Sequence, residues 1–184
     1  MPTFAPTVAP LTIWTIGHST RLLPEFLGLL AGPRIESIAD VRSFPGSRKY
    51  PQYGKEALET ALASHAIDYH WLPALGGRRR VLPDSRNTAW RNASFRGYAD
   101  HMSSREFTLG LAELLEVACN ARTAIMCAEA VWWRCHRSMI ADALCVRGIE
   151  VVHIVDAQHT VVHPMTSPAE IVRGKLSYVG TAER

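Results

Sequence analysis

Short runs of apolar residues recur along the chain and alternate with segments that have a helical apolar face. The first run, TIWTIG at 12–17, ends at a glycine and is typical of a buried strand. The same pattern predicts further strands at 35–40, 68–72, 123–127 and 151–155. It predicts helices at 24–31, 54–65, 95–102, 107–119 and 134–146.

This alternation is typical of an α/β fold with one mostly parallel, twisted sheet of about five strands and helices on both faces. Parallel strands need crossover connections, which the intervening helices supply. The chain of 184 residues suits a single domain, 1–184. We expect 1–11 to be a flexible N-terminus and 165–184 an uncertain tail, with 168–174 interpreted as a helical turn and 176–179 as a short strand or tail.

Composition favours a cytoplasmic protein that does not enter a membrane. No run of 18 apolar residues occurs, and the first 11 residues contain three prolines and lack a basic segment, so neither a membrane span nor a signal peptide is expected. The four cysteines form no CxxC pair, which favours reduced thiols over a disulfide framework.

The net charge of +3 is concentrated in one segment. Residues 78–96 contain six arginines and one aspartate, so the rest of the chain sums to −2. Such a segment either meets phosphates or an acidic partner, or is a solvated loop. It lies in a long polar stretch, 73–92, and long loops in compact domains are often functional.

The motifs resemble a known family. They are TIGHSTR (15–21), DVRSFPGS (40–47), LGGRR (75–79), CAE (127–129), CHR (135–137) and VVHI (151–154). In this order they are similar to the DUF488 proteins, whose function is uncharacterised. The resemblance implies an α/β fold and a shared polar site, and it carries no substrate. Trp132 and Trp133 depart from the more polar or proline-containing stretch of family members.

Cys127 and two carboxylates are the first candidates for chemistry. Cys127 ends a strand, where nearby basic groups can lower the pKa of a thiol and make it a nucleophile; the alternative is a buried structural thiol. Glu129 and Asp40 end or follow strands and can divide acid and base roles. Alternatively, they form salt bridges with arginines such as Arg42.

Cys135, His136 and Arg137 are expected to begin a helix, where free N–H groups and the helix dipole favour an anion. The alternative is a structural helix start. Together with Cys127, and with His18 as a fourth ligand, Cys135 and His136 also offer the soft ligands that suit zinc, although their spacing is unusual.

The remaining candidates follow other strand ends. His18 is placed in a loop as a general base or substrate ligand, in preference to His153 and His70, which lie within strands. Backbone and guanidinium groups of the glycine–arginine run can surround a phosphate, and basic residues elsewhere can anchor it. The substrate-binding candidates at these positions are Arg21, Arg42, Gly76, Gly77 and Arg78.

These residues favour an enzyme that binds an anionic, phosphate-bearing substrate, such as a nucleotide or nucleic acid, at the carboxyl edge of the sheet. A noncatalytic nucleic-acid-binding module that uses 78–96 is the alternative from another class, and a zinc site is the second alternative. Trp90, Phe95 and Tyr98 are either stacking surfaces for bases or core residues. The sequence points to no particular cofactor.

Overall fold

A computed structural model describes residues 11–180. The expected flexible segment 1–11 therefore lies outside the described residues, apart from Leu11. The strands of the main sheet are β1 (Thr12–Gly17), β2 (Ser37–Asp40), β3 (Asp68–Trp71), β4 (Thr123–Cys127), β5 (Glu150–Ile154) and β6 (Thr160–Val162). The helices are α1 (Leu23–Ala31), α2 (Lys55–Ala63), α3 (Ala93–His101), α4 (Arg105–Asn120) and α5 (Arg137–Cys145).

The main sheet has the strand order β3-β2-β4-β1-β5-β6. The first five strands are parallel to their neighbours, and β6 pairs antiparallel with β5. This confirms the predicted mostly parallel α/β sheet. The additional strand β6 is a short run of exposed residues at the edge, which gave no buried apolar pattern in the sequence.

The helical turn predicted at 168–174 is wrong. The segment forms a hairpin of β7 (Glu170–Val172) and β8 (Lys175–Ser177). The two residues between these strands, Arg173 and Gly174, both have positive φ. This is the backbone of a tight type I′ hairpin turn, and it excludes a helix.

Two apolar cores lie on opposite faces of the sheet. Phe26 and Leu30 of α1 and Leu58 and Leu62 of α2 pack on one face. The other face is covered by α3, α4 and α5, through residues such as Leu111, Leu114, Met139 and Ile140. The predicted helices on both faces are confirmed.

The start of α5 differs from the prediction. A 3₁₀ turn at Trp132–Arg134 is followed by Cys135, and the α-helix begins at Arg137 with His136 at the cap position. No side chain caps this helix. The CHR motif therefore forms the entry to the helix and its first turn.

The polar segment between β3 and α3 is well anchored. Asp100 of α3 accepts hydrogen bonds from the Leu82 backbone (2.9 Å), the Ser85 hydroxyl (2.6 Å) and the Asn87 amide (2.7 Å). One buried carboxylate thus fixes three points of a loop with little secondary structure. Across residues 11–180, no helix is both long enough and apolar enough to cross a membrane.

Candidate functional site

Alternation along the strands divides the candidate residues between the two faces of the sheet. Successive side chains of a strand point to opposite faces. Cys127 belongs to the core under α5, whereas its neighbour Met126 belongs to the core under α1 and α2. Tyr53, on which His18 stacks at 4.1 Å, also belongs to that second core. The His18 ring therefore packs on the second core, on the other face from the side chain of Cys127.

A pocket of about 970 Å³ opens at the carboxyl edge on the α5 side. The predicted site residues that line it are Arg42, Gly77, Arg78, Cys127, Glu129, Cys135 and His136. Arg48 and Arg134 line it as well, so four arginines face a single carboxylate, that of Glu129. The pocket is positively charged and suits an anion.

The two cysteines and His136 converge at the base of the pocket. Their ligand atoms all lie within 4.8 Å of one another. The Cys135 Sγ is 3.6 Å from His136 Nδ1 and accepts a hydrogen bond from Arg137 Nε at 3.4 Å. Both cysteines are buried, yet both line the pocket.

His136 is anchored through its Nε2. Its Nε2 is 3.1 Å from the carbonyl oxygen of Val41, which can only accept a hydrogen bond, so Nε2 carries a hydrogen. Nδ1 faces Cys135 Sγ at 3.6 Å, where a hydrogen on this ring nitrogen donates to the thiolate form of the sulfur. A Cβ on Gly77 would lie 2.9 Å from this Nδ1, so the glycine gives the ring its room.

Arg137 is a buried cation without a carboxylate partner. Its residue is 1% exposed, and none of the salt bridges in the described part of the chain includes it. Besides Cys135, its guanidinium donates to the Thr15 hydroxyl and to the carbonyl oxygens of Glu129 and Ala130. An unpaired buried charge is costly, so an anion at Cys135 is the natural counterion.

The groups around the two cysteines shift the pKa values of their thiols in opposite directions. Burial acts to raise the pKa of Cys135, but hydrogen bonding from the Cys127 thiol and the adjacent His136 and Arg137 outweigh it and hold that pKa well below its usual value. The hydrogen bond to Cys135, together with burial, raises the pKa of Cys127 well above its usual value. These directions favour the thiolate form at Cys135 and the thiol form at Cys127.

Asp40 and Arg42 form a buried pair. Arg42 Nε and Nη2 donate to the Asp40 carboxylate at 2.9 and 2.6 Å, and the Tyr69 hydroxyl donates to it at 2.6 Å. Arg42 Nη1 also donates to the Tyr53 carbonyl oxygen at 2.8 Å. With the Arg42 backbone N–H at 3.0 Å, Asp40 is occupied by four donors, while Arg42 is fixed by its partners where it borders the pocket.

His18 lies next to this pair, with its Nε2 3.4 Å from Arg42 Nη1 and its Nδ1 3.0 Å from the Ser19 carbonyl oxygen. Burial lowers the pKa of His18 to about 4. The folded protein therefore holds this ring neutral at pH values where a free histidine is already protonated.

We expect the protein to lose stability as the pH falls from 6.5 towards 4. In this window the unfolded chain binds a proton at His18 and the folded chain does not, so this contribution is complete above pH 6.5. The loss is on the order of 3 kcal/mol. Urea unfolding of His18→Asn should show a shallower pH dependence than the parent protein; equal slopes would contradict the assignment.

The other predicted residues have structural contacts. Arg21 donates to the carbonyl oxygens of Gly17 and Val155 and lies 3.4 Å from the Glu25 carboxylate. It is not among the residues that line the pocket. The side chain of Glu129 is exposed at the pocket, while its carbonyl oxygen is held by Arg137.

The two glycines of the LGG motif serve close packing. A Cβ on Gly76 would lie 2.6 Å from the Ser43 hydroxyl oxygen. The same hydroxyl donates to the Gly77 carbonyl oxygen at 2.7 Å, which ties this loop to the one that carries Arg42. Arg78 follows in the left-handed region, with φ of 57°, and is exposed at the pocket.

Part of the arginine-rich segment is engaged in structural contacts. Arg79 forms a salt bridge of 3.0 Å with Glu106, and Arg96 donates to the Trp90 carbonyl oxygen at 3.3 Å. Of the three predicted aromatic residues, Phe95 and Tyr98 line the pocket. Trp90 stacks on Phe95 at 4.7 Å.

Several residues of this region were not predicted. Ser43 and Phe44 stand inside the DVRSFPGS motif, which was the available signal, and Arg48 follows it. Thr15, Asp142 and His163 are fully or almost fully buried polar residues near Arg137. Their signal was weak, since each is an isolated polar position in a mainly apolar element or lies in an edge segment.

Comparison with known proteins agrees with the motif pattern. The model of the family described as domain of unknown function DUF488 matches residues 23–144, more than half of the chain. No curated protein and no solved structure matches the chain significantly. The matched region contains α1 to α4, the loop that carries Arg42, both cysteines and most of α5. The chain belongs to the DUF488 family.

Proposed function

We propose that the protein is an enzyme that binds an anionic, phosphate-bearing substrate in the arginine-lined pocket and uses the thiolate of Cys135 as its nucleophile. The observation that carries this proposal is the position of Arg137, a buried cation whose Nε lies 3.4 Å from Cys135 Sγ. A thiolate, not a thiol, is the reactive form of cysteine.

The pocket supports an anionic substrate. Arg78 and Arg134 are exposed side chains at its border, and neither makes a hydrogen bond or salt bridge among the described contacts, so both can contact a ligand. Arginine binds phosphate oxygens in bidentate fashion. Phe44 and Phe95 supply apolar surface beside them, which suits the base of a nucleotide.

The proposed chemistry is a nucleophilic displacement. The Cys135 sulfur forms a bond to an electrophilic centre of the substrate while the leaving group departs with the electron pair of the broken bond. The adjacent Cys127 thiol donates its hydrogen bond to the attacking sulfur before the reaction. Glu129, exposed at the pocket, is the carboxylate available to accept or donate a proton there.

The same three side chains, Cys127, Cys135 and His136, also have the chemistry of a zinc site. Arg137 argues against this alternative, because a cation bound there would lie beside a buried guanidinium that has no carboxylate to neutralise it. Metal analysis of the purified protein tests this alternative: stoichiometric zinc would replace the nucleophile proposal.

A noncatalytic nucleic-acid-binding module is supported less well. Some arginines of 78–96 are engaged in structural contacts, among them Arg79 with Glu106 and Arg96 with a backbone carbonyl. The pocket is the better candidate for an anion-binding site, because arginines from several loops line it together with Cys135.

The test measures alkylation of Cys135 by iodoacetamide, quantified by peptide mass spectrometry, with inorganic phosphate or a nucleoside monophosphate as competitor. We expect rapid alkylation at neutral pH and protection by the anion. Arg78→Ala and Arg134→Ala should each weaken that protection about tenfold, since one charged hydrogen bond to the anion is lost.

Turnover is assayed with a panel of phosphate esters and nucleotides, and Cys135→Ser is the matched inactive control. An ordinary cysteine pKa near 8.5 without anion protection would overturn the proposal. Binding of nucleic acid that requires Arg80 and Arg91 but is insensitive to Cys135→Ser would favour the noncatalytic alternative.

A further inference from the structure

A buried series of hydrogen bonds leads away from the back of Arg137. Arg137 Nη1 lies 3.4 Å from Thr15 Oγ1, which lies 2.7 Å from His153 Nδ1. His153 Nε2 is 2.9 Å from His163 Nδ1, and His163 Nε2 is 2.9 Å from Asp142 Oδ1. The series joins β1, β5, the residue after β6, and α5.

With His163 in its neutral form, every hydrogen bond of this series runs in the same direction. The Asp142 carboxylate accepts, so His163 Nε2 carries a hydrogen, and the neutral ring accepts at Nδ1. His153 then donates from Nε2 and accepts at Nδ1 from the Thr15 hydroxyl. Thr15 is left with an oxygen lone pair for Arg137. The opposite direction would leave the Thr15 hydroxyl hydrogen without an acceptor among its contacts.

The hydrogen-bonded residues are buried from solvent, and His153 at the centre of the series is held neutral. Thr15, His153 and Asp142 are at most 1% exposed. Trp132, from the turn between the two cysteines, stacks on His153 at 4.1 Å and meets His163 edge-on. Burial is the largest cause that lowers the pKa of His153, to about 3.

The far end is firmly held. Besides His163, Asp142 accepts hydrogen bonds from the backbone and hydroxyl of Thr166, at 2.9 and 2.5 Å, and from the Tyr178 hydroxyl, at 2.6 Å. A carboxylate with four donors cannot reorient easily. The C-terminal segment is thereby linked to the cysteine site through defined contacts.

We propose that Thr15, His153, His163 and Asp142 are positioning residues that hold the Arg137 guanidinium against Cys135. An arginine side chain has many rotamers, and a fixed partner for Nη1 restricts the orientation in which Nε points at the sulfur. The negative end of the series at Asp142 and the positive end at Arg137 polarise the hydrogen bonds between them. This inference rests on the proposed function, in which Cys135 is the nucleophile.

The test compares Thr15→Val with Thr15→Ser. Valine has the shape of threonine but neither accepts from Arg137 nor donates to His153, whereas serine does both. The measurement is the rate constant of Cys135 alkylation over a pH series, together with urea unfolding. We expect Thr15→Val to raise the pKa of the thiol by about one unit, so that alkylation slows about tenfold at pH values below the pKa of the parent thiol. Thr15→Ser should remain within about twofold of the parent.

Thr123→Val is the matched control. Thr123 is a fully buried threonine of the same sheet, and its hydroxyl donates to the Ala121 carbonyl oxygen outside the series. We expect it to lower stability without changing the alkylation of Cys135. Asp142→Asn tests the far end and is expected to slow alkylation severalfold, and it decides the question if Thr15→Val does not fold.

The outcomes separate the two proposals. If the parent Cys135 titrates as an ordinary thiol, the proposed function fails and this inference fails with it. If the parent thiol is reactive at neutral pH but Thr15→Val, Asp142→Asn and Thr123→Val all leave its rate unchanged, the proposed function stands and the positioning role is overturned.

Discussion

Arg137→Met is expected to destabilise the protein by about 3 kcal/mol and to abolish the rapid alkylation of Cys135 at neutral pH. The methionine side chain fills similar volume but donates no hydrogen bonds. It leaves Thr15 without a donor for one lone pair, and it releases the carbonyl oxygens of Glu129 and Ala130. Without the guanidinium, a buried thiolate has lost its cation and Cys135 becomes protonated.

The effect is measured by urea unfolding and by alkylation of Cys135 on peptide maps. Arg134→Met is the matched control, because Arg134 is an exposed arginine three residues earlier in the same region. Its unfolding free energy should change by less than about 0.5 kcal/mol. An Arg137→Met protein that is as stable and as reactive as the parent would show that the buried cation is not the partner of Cys135.

The order of strands and helices could be predicted from local sequence patterns. The face of the sheet on which each candidate side chain lies could not. Strands β1, β3 and β4 were predicted almost to the residue, since each is a short run between clear turn residues. The prediction that His18 and Asp40 share a crevice with Cys127 used only the rule that strand ends meet at one edge. It did not consider which face each side chain takes, and alternation places them on opposite faces.

The residues behind Arg137 could not be predicted for a different reason. Thr15, Asp142, His153 and His163 are far apart in sequence and meet only through the register of β1 with β5 and of β5 with β6. The edge strand β6 has three exposed residues and no apolar pattern, so His163 had no predicted position. Of these four residues, His153 was the one that the sequence could indicate, because it is a polar residue at a buried position in the centre of a strand.

The structure also changes the interpretation of the anion site. The CHR motif was expected to bind an anion through Arg137 at a helix start, but this guanidinium is turned inward to a threonine, a thiol and two carbonyl oxygens. The bound anion is now proposed to meet Arg78 and Arg134, which border the pocket. In the proposed function, the negative charge at the helix start is that of the Cys135 thiolate.

Gly17→Ala is expected to destabilise the protein by about 3 kcal/mol, at the upper end of the cost of overpacking. A Cβ on Gly17 would lie 1.8 Å from the carbonyl oxygen of Glu129 and 2.9 Å from the Cα of Ala130. Both neighbours are backbone atoms, and the same loop is held by Arg137 and by the hydrogen bond of 2.9 Å from the Ser19 N–H to the Ala128 carbonyl oxygen. The loop must therefore shift by more than an ångström or the strand must move.

The shift would reach the site, because the Glu129 carbonyl oxygen is one of the contacts that fix Arg137. We expect slower alkylation of Cys135 in Gly17→Ala, measured by the same peptide maps, and a lower urea midpoint. Gly28→Ala is the matched control, since a Cβ there meets no atom within 4 Å and the residue is exposed in α1. In a helix interior this change is expected to stabilise by about 0.5–1 kcal/mol. If Gly17→Ala is as stable and as reactive as Gly28→Ala, the close approach of Glu129 and Ala130 to β1 does not require a glycine at position 17.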